Sequence, residues 1–372
     1  MNPALFWIVL GLFLSSWLIY PLFLFCISLV FRKHSSSWKE PDEWPKVSVL
    51  ISARNEEIVI ASRIRNLLEQ NYAGTIEILI GSDCSDDETD AIAGSFQDQG
   101  VILHRSETRL GKPLMIKKLV DRADGEILVF SDADTIFSPE TITELVTPFS
   151  NPSVGCVDGS RRNSLEGDTC ESIYWKYEKM IKKLCSYAGA VLGATGAVFA
   201  IRKDLFTPLS PRRADDFELA VMTRIRGYSC VFNENAVAVE PSPNDSDQYR
   251  RLVRIVSWML VSCILLMGQA LEKLDLLLFL QLLAHKVLRW FSGLLLAAAT
   301  VLAGFLAGSQ IYLLLFIMMC LFHASAVAGW LLKKHMPSKL LFPYYFWLMN
   351  IASADGILRV LSRNSVETWE KK

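Results

Sequence analysis

The chain has 372 residues, of which 51% are hydrophobic and 21% charged, with a mean hydropathy of +0.29 and a formal net charge of −1. That is too apolar for an ordinary soluble domain and too charged for a pure bundle of membrane helices, so polar and apolar segments must be segregated along the chain. A charge balance this near zero argues against a nucleic-acid partner.

The first segment is the most apolar. Between Leu5 and Val30 the only polar residues are Ser15, Ser16, Tyr20 and Ser28, and about 20 apolar residues suffice to span a bilayer. No short apolar core with a small-residue cleavage site is visible, so residues 4–31 read as an uncleaved transmembrane anchor. Arg32, Lys33, His34 and Lys39 follow it and no basic side chain precedes it. The positive-inside rule then places the N-terminus outside and the next domain in the cytoplasm. Eight cysteines, at positions 26, 84, 156, 170, 185, 230, 263 and 320, show no C-x-x-C spacing. In a reducing compartment they read as small buried hydrophobes, not as disulfides or a zinc site.

Residues 45–250 carry an α/β pattern. Val47–Ser52, Ile76–Ile80, Val101–His104 and Ile127–Ser131 read as buried strands, separated by helical stretches. Alternation of this kind predicts a parallel sheet with ligands at the carboxyl ends of its strands. Polar residues gather at those ends: Ala53-Arg54-Asn55-Glu56-Glu57 after the first strand, Gly81 to Asp87 after the second, and Asp132-Ala133-Asp134 after the fourth.

From Leu252 the pattern changes again. Leu252–Met267 is apolar but contains Arg254, Ser257 and Ser262, and Leu274–Trp290 places Gln281, His285 and Arg289 on one helical face. Residues 251–290 therefore read as interfacial helices. Phe291–Ala307 and Ile311–Leu332 are spanning candidates, followed by Lys333, Lys334, His335 and Lys339. Leu340–Leu361 contains Asn350 and Asp355, and an Asp at mid-bilayer is expensive. If that stretch spanned, Arg359, Arg363, Lys371 and Lys372 would lie outside, against the charge rule. Residues 291–361 thus read as a transmembrane and re-entrant region, and 362–372 as a cytoplasmic tail.

Several side chains could carry chemistry. Carboxylates at i and i+2 of a strand project to one side, and Asp132 and Asp134 in that arrangement suit Mg²⁺ or Mn²⁺ bound to a diphosphate. Strand ends also carry Asp as turn chemistry. Asp83 suits a nucleobase or ribose, or equally an Asx turn; its company with Asp132 and Asp134 on one sheet edge favours the ligand role. Lys112 suits a phosphate, or plain solvation. The small residues Gly193-Ala194-Thr195-Gly196-Ala197 permit close approach of an acceptor, or form a tight turn. Asp215, Asp216 and Glu218 open a helix that stops at Gly227. They serve either as capping charges or as a general base whose pKa is raised by like charges. Arg250, Arg251 and Arg254 make one basic face that attracts anionic lipid or clamps a diphosphate.

These motifs, in this order from about Val47 to Trp290, resemble the membrane-integrated inverting glycosyltransferases of family two, among them cellulose, chitin-oligosaccharide and hyaluronan synthases; ceramide glucosyltransferases are related. The resemblance implies a Rossmann-like GT-A domain, held at the plasma membrane and acting on a UDP-sugar with Mg²⁺ or Mn²⁺. It implies that Ala53, Asn55 and Glu56 form the first nucleotide-contacting loop and that Asp83 faces the uracil. Lys112, Asp132 and Arg254 complete the donor contacts. Asp132-Ala133-Asp134 matches the metal-binding D-x-D, with Asp134 the chief ligand. Gly193, Thr195 and Gly196 fall in the acceptor-side loop, and Asp215-Asp216-x-x-Leu219 matches the catalytic E/D-D-x-x-L, making Asp216 the base. His285-Lys286-Val287-Leu288-Arg289-Trp290 resembles a recurrent interfacial segment. One position departs: processive members carry Q-x-x-R-W, and here Leu252 follows Gln248 and Arg251. Arg251 keeps the pyrophosphate role, whereas the acceptor, a growing glycan or a lipid carrier, is left open by the absent Trp. A third alternative is a catalytically dead nucleotide-sugar-binding scaffold.

Overall fold

A computed structural model describes residues 2–31, 38–163, 170–208, 213–241, 245–333 and 336–362. Arg32, Lys33, His34, Lys334, His335, Arg363, Lys371 and Lys372 lie outside them, as does the tail beyond Ser362 and the side chains of Gln248 and Lys339. The chain divides into two compact units. One comprises Ser28–Leu165, Lys182–Ser242 and Glu367–Lys372; the other Met1–Ile27, Glu166–Ile181 and Pro243–Val366.

The first unit is an α/β body on an eight-stranded sheet. Its strands are β1 Val47–Ala53, β2 Ile76–Asp83, β3 Val101–Ser106, β4 Ile127–Asp132, β5 Ile136–Phe137, β6 Val154–Asn163, β7 Phe199–Arg202 and β8 Ser229–Glu240. They lie in the order β3-β2-β1-β4-β7-β6-β8-β5. The four strands read from the sequence are present and mutually parallel. β1 is central, and Val47, Val49, Leu50 and Ile51 are buried whichever face they take, the mark of a strand covered on both sides. The sheet is not parallel throughout. β7 pairs antiparallel with β4 and with β6, and β5 antiparallel with β8. The later strands follow turns and irregular segments, so no regular alternation announces them in the sequence.

The second unit is helical. Pro3–Leu14 and Tyr20–Phe31 are joined by a π-helical turn at Ser15–Ile19. Asp245–Glu272, Ser292–Phe305, Gln310–Leu332 and Phe342–Leu361 are the other main helices. Among the described residues, three helices are long and apolar enough to cross a membrane: Pro3–Val30, Tyr249–Glu272 and Gln310–Leu332. Leu276–Trp290 and Ser292–Phe305 form a pair bent by 69°. The segment read as interfacial, 251–290, thus begins with a helix of spanning length. Its Gln281 and His285 are buried inside the unit and do not form an outward polar face.

Several buried polar groups among these helices find partners. The Asn350 side-chain oxygen accepts from Ser292 Oγ (3.0 Å) and Gly293 N (2.6 Å), and its Nδ2 donates to Phe346 O. Asp355 pairs with Arg359 at 2.9 Å and accepts from Tyr249 OH at 3.3 Å. With those groups satisfied, Phe342–Leu361 continues unbroken through both residues that argued against it. It packs on Asp245–Glu272 at Gly356, where an added Cβ would meet Val253 O at 2.8 Å and Val256 Cβ at 3.2 Å.

Gly356→Leu is expected to force these helices apart and destabilise the protein by about 1–3 kcal/mol. Gly268→Ala, on the same helix pair but with nothing within 4 Å, is expected to be neutral or stabilising by up to ~1 kcal/mol. Thermal unfolding of both variants in detergent distinguishes a close helix contact from mere intolerance of substitution.

Candidate functional site

The loops that leave β1 and β2 are laced together by their own polar groups. Asn55 N donates to Ser85 Oγ (3.2 Å), Glu56 N to Thr89 Oγ1 (2.8 Å) and Glu57 N to Asp87 Oδ2 (3.1 Å). In return Asp86 N donates to Asn55 Oδ1 (3.1 Å) and Glu88 N to Glu57 Oε2 (3.0 Å). Asn55 and Cys84 both take left-handed backbone, at φ 53 and 59, which Asn tolerates better than most residues. Ala53 and Glu56 are buried beside this junction. The two loops are therefore held as one hydrogen-bonded junction.

Asp83, at the end of β2, accepts from Leu110 N (2.6 Å) and Gly111 N (2.9 Å). Each oxygen keeps a further lone pair, but its first task is to hold the turn entering the helix Lys112–Val120. Gly111 stands there at φ 83, which favours glycine. This turn presents Lys112 at the first helical position. Lys112 Nζ lies 2.7 Å from Asp132 Oδ1 and 4.0 Å from Asp215 Oδ2. Partial burial alone would lower its pKa; Asp132, Asp215 and Asp216 outweigh that and raise it, so it stays charged.

β4 ends at Asp132, and Ala133 and Asp134 form a turn before β5. The strand alternation expected to align the two carboxylates therefore stops at the first of them, because the chain must reverse towards β5. Both side chains remain partly exposed. Beneath them sits Arg63, wholly buried, which donates to Ser131 Oγ (2.8 Å) and Asn66 Oδ1 (2.6 Å) and covers the Phe137 ring at 4.1 Å. Burial lowers the Arg63 pKa to about 9, while Asp132 and Asp134 pull it back up; it remains a cation near neutrality.

The helix Asp215–Ile225 starts where the sequence placed it, with Gly227 at φ 89 beyond its end. Asp216 accepts from Phe217 N through Oδ1 (2.8 Å) and from Gly196 N through Oδ2 (3.0 Å). Burial and the adjacent Asp215 raise its pKa to about 6 against the opposing pull of Lys112. The third acid of the cluster is not part of this group: Glu218 is buried and paired with Arg213 at 2.6 Å. Gly193, at φ 103, and Gly196 let the 193–197 turn approach the helix start, and Cβ atoms there would meet Phe217 Cδ2 at 3.1 Å and Asp216 Oδ2 at 3.2 Å. Thr195 N donates to Asp158 Oδ1 at 2.7 Å.

The α/β unit thus brings Lys112, Asp132, Asp215 and Asp216 together, with Gly196 and Thr195 beside them. Arg251 and Arg254 stand on the helix Asp245–Glu272 of the helical unit, where Arg254 covers the Trp258 ring at 5.6 Å. Sequence reasoning missed Arg63, Asp158 and Lys182. Arg63 had a signal, since it falls on the apolar stripe of Ile60, Ile64 and Leu67 in its helix. Asp158 is likewise an acid inside an apolar strand.

Residues 48–208 match the family described as Glycosyl transferase family 2. The chain is 27% identical over 264 residues to the probable glycosyltransferase YdaM of Bacillus subtilis (strain 168), covering 65% of this chain and 63% of that protein. It is 24% identical over 233 residues to an N-acetylglucosaminyltransferase of Rhizobium leguminosarum bv. viciae, covering 57% and 55%. The chain therefore spans less than two thirds of the length of either relative. Among solved structures, the mannosyltransferase PcManGT of Pyrobaculum calidifontis, in complex with GDP-Man and Mn²⁺, superposes with a TM-score of 0.70 at 21% identity, covering 96% of this chain and 99% of that one. The fold is mixed α/β and Rossmann-like, of the GT-A type.

Arg63→Leu is expected to leave Ser131 and Asn66 without their buried donor and to destabilise the protein by about 1–3 kcal/mol. A drop in the thermal midpoint of the detergent-purified chain checks this; an unchanged midpoint would show that the guanidinium contributes nothing to the fold.

Proposed function

We propose that the chain is a membrane-bound inverting glycosyltransferase that moves a sugar from a UDP-sugar onto a growing glycan by single displacement. The observation that carries this is Lys112, which gathers the D-x-D residue Asp132 and the helix-start acid Asp215 around one ammonium. In this reading the donor site lies beside the acid that activates the acceptor. UDP is the nucleotide suggested by the resemblance of the Asp83 loop; the GDP-Man bound by PcManGT makes a guanosine donor the alternative to test. Anchoring in the plasma membrane with the α/β unit in the cytoplasm rests on the three apolar helices and the basic flank after the first.

In this reading the Ala53–Glu56 loop and Asp83 hold the nucleoside, while Lys112 holds the diphosphate. Among the described residues no group of three or more His, Cys, Asp or Glu side chains could hold an ion alone. The hard oxygen donors Asp134 and Asp132 fit Mg²⁺ or Mn²⁺ when the remaining ligands are phosphate and water. Such an ion supplies charge stabilisation on the leaving diphosphate. Asp216, aimed by Gly196 N and Phe217 N, takes the proton of the acceptor hydroxyl as the oxygen attacks the anomeric carbon. Attack opposite the leaving group inverts that carbon.

Asp134→Ala is expected to abolish transfer with the fold intact, and EDTA to do the same reversibly on adding Mn²⁺ or Mg²⁺. Activity that survives either treatment would remove Asp134 from this role. Assays with a panel of UDP-sugars and GDP-mannose identify the donor, and product length separates a glycan synthase from a lipid-carrier transferase.

Only the ionised form of Asp216 accepts a proton, so kcat is expected to rise with pH through about 6 and to fall about tenfold per unit below it. Asp216→Asn should lose ~10²–10⁴-fold in kcat, lose that acid limb, and keep UDP affinity. A variant with weakened UDP binding and native turnover would make Asp216 a nucleotide or capping residue.

A further inference from the structure

Asp158 is an acid in the middle of the sheet. It lies on β6, opposite Phe199 of β7 and Phe232 of β8, and is completely buried. A carboxylate in that position is costly unless charge and hydrogen bonds compensate it. Both oxygens are engaged: Oδ1 accepts from Thr195 N at 2.7 Å, and Oδ2 lies 2.7 Å from Lys182 Nζ. Lys182 Nζ also donates to Thr195 Oγ1 at 2.8 Å. The pair therefore grips one residue of the 193–197 turn at its backbone and at its side chain.

The next links lead to the acid proposed as the base. Gly196 N donates to Asp216 Oδ2, and Ala194 N to the Asp216 carbonyl at 3.3 Å. The other end of the turn is closed by Val198 N on Thr195 O (2.8 Å) and by Ser131 Oγ on Ala197 O (3.0 Å). A turn rich in small residues has little side-chain packing of its own to hold its shape. Its rigidity has to come from outside, and Asp158 and Lys182 supply two of its fixed points.

We propose that the Asp158–Lys182 pair consists of positioning residues which hold the Thr195–Gly196 turn so that the Asp216 carboxylate faces the acceptor. This rests on the reading of Asp216 as the base. The pair makes its contacts with Thr195 and reaches Asp216 through that turn, apart from the Lys182 charge, which also favours ionisation of Asp216; it takes no part in the hydrogen bonds of Asp83 and Lys112.

The test is the double variant Asp158→Leu with Lys182→Met in the full-length chain in detergent. A buried ion pair replaced by apolar side chains of similar size often leaves stability unchanged or raised, so the fold is expected to persist. Four quantities are measured: the thermal midpoint, affinity for UDP with Mn²⁺, hydrogen exchange of a peptide covering 190–198, and kcat and donor KM with the nucleotide sugar that the parent turns over. The proposal expects a native midpoint, UDP affinity and donor KM within about twofold, faster exchange confined to the 190–198 peptide, and kcat lower by ~10–100-fold, as for small misplacements of a reacting group. Thr195→Val, which loses the hydroxyl that Lys182 holds, should shift exchange and kcat in the direction of the double variant. Unchanged exchange overturns the proposal, as does native kcat despite faster exchange. Loss of the midpoint, UDP binding and exchange protection together would make the pair a general support of the fold, which also overturns it. A parent chain that turns over no nucleotide sugar would defeat the reading of Asp216, while the exchange data would still decide whether the pair anchors the turn.

Discussion

The geometry of the α/β unit depends on one ammonium group. Asp132, Asp134, Asp215 and Asp216 stand at one end of the sheet, and like charges brought together repel. At 4 Å two unit charges interact by about 4 kcal/mol even at an effective dielectric constant near 20. Lys112 relieves that repulsion by standing 2.7 Å from Asp132 and 4.0 Å from Asp215. Its place is not set by its own helix alone. Asp83 holds the two amides before it, and Gly111 supplies the left-handed backbone that turns the chain into the helix. Asp83, Gly111 and Lys112 thus act as one device.

The same unit uses buried carboxylates in opposite ways. Burial pushes both Asp158 and Asp216 towards the protonated form. Asp158 is compensated at once, by Lys182 at 2.7 Å and the Thr195 amide. Asp216 accepts from two backbone amides and feels Lys112 and Lys182 only as nearby charges, while Asp215 beside it works against ionisation. The difference between the two acids is that one has an ammonium group in direct contact and the other does not.

The helical unit follows the complementary rule. Many large apolar side chains are exposed on it, and several of its polar side chains turn inward onto partners: Asn350 onto Ser292 and Gly293, His285 and Arg289 towards Glu178, and Trp347 onto His323. Arg289 is further enclosed by the rings of Trp17 and Tyr177, at 5.0 and 5.2 Å. Such groups tie helices that would otherwise meet only through dispersion contacts, which apolar lipid matches equally well.

The sequence by itself determined the four parallel strands, because β-branched runs buried on both faces have few other uses, and their polar loops follow from the same pattern. It also determined the first helix, the start of the Asp215 helix and the clustering of acids, since caps, glycines and charge are local features. Tertiary structure alone decided the antiparallel strands β5 and β7, whose short segments carry no periodicity of their own. It decided that Asp134 lies in a turn, that Glu218 belongs to Arg213, and that 251–290 opens with a helix of spanning length. It also decided the roles open to Arg63, Asp158 and Lys182. Their partners lie 68, 37 and 13 residues away, and a local pattern cannot report which distant group will neutralise a buried charge.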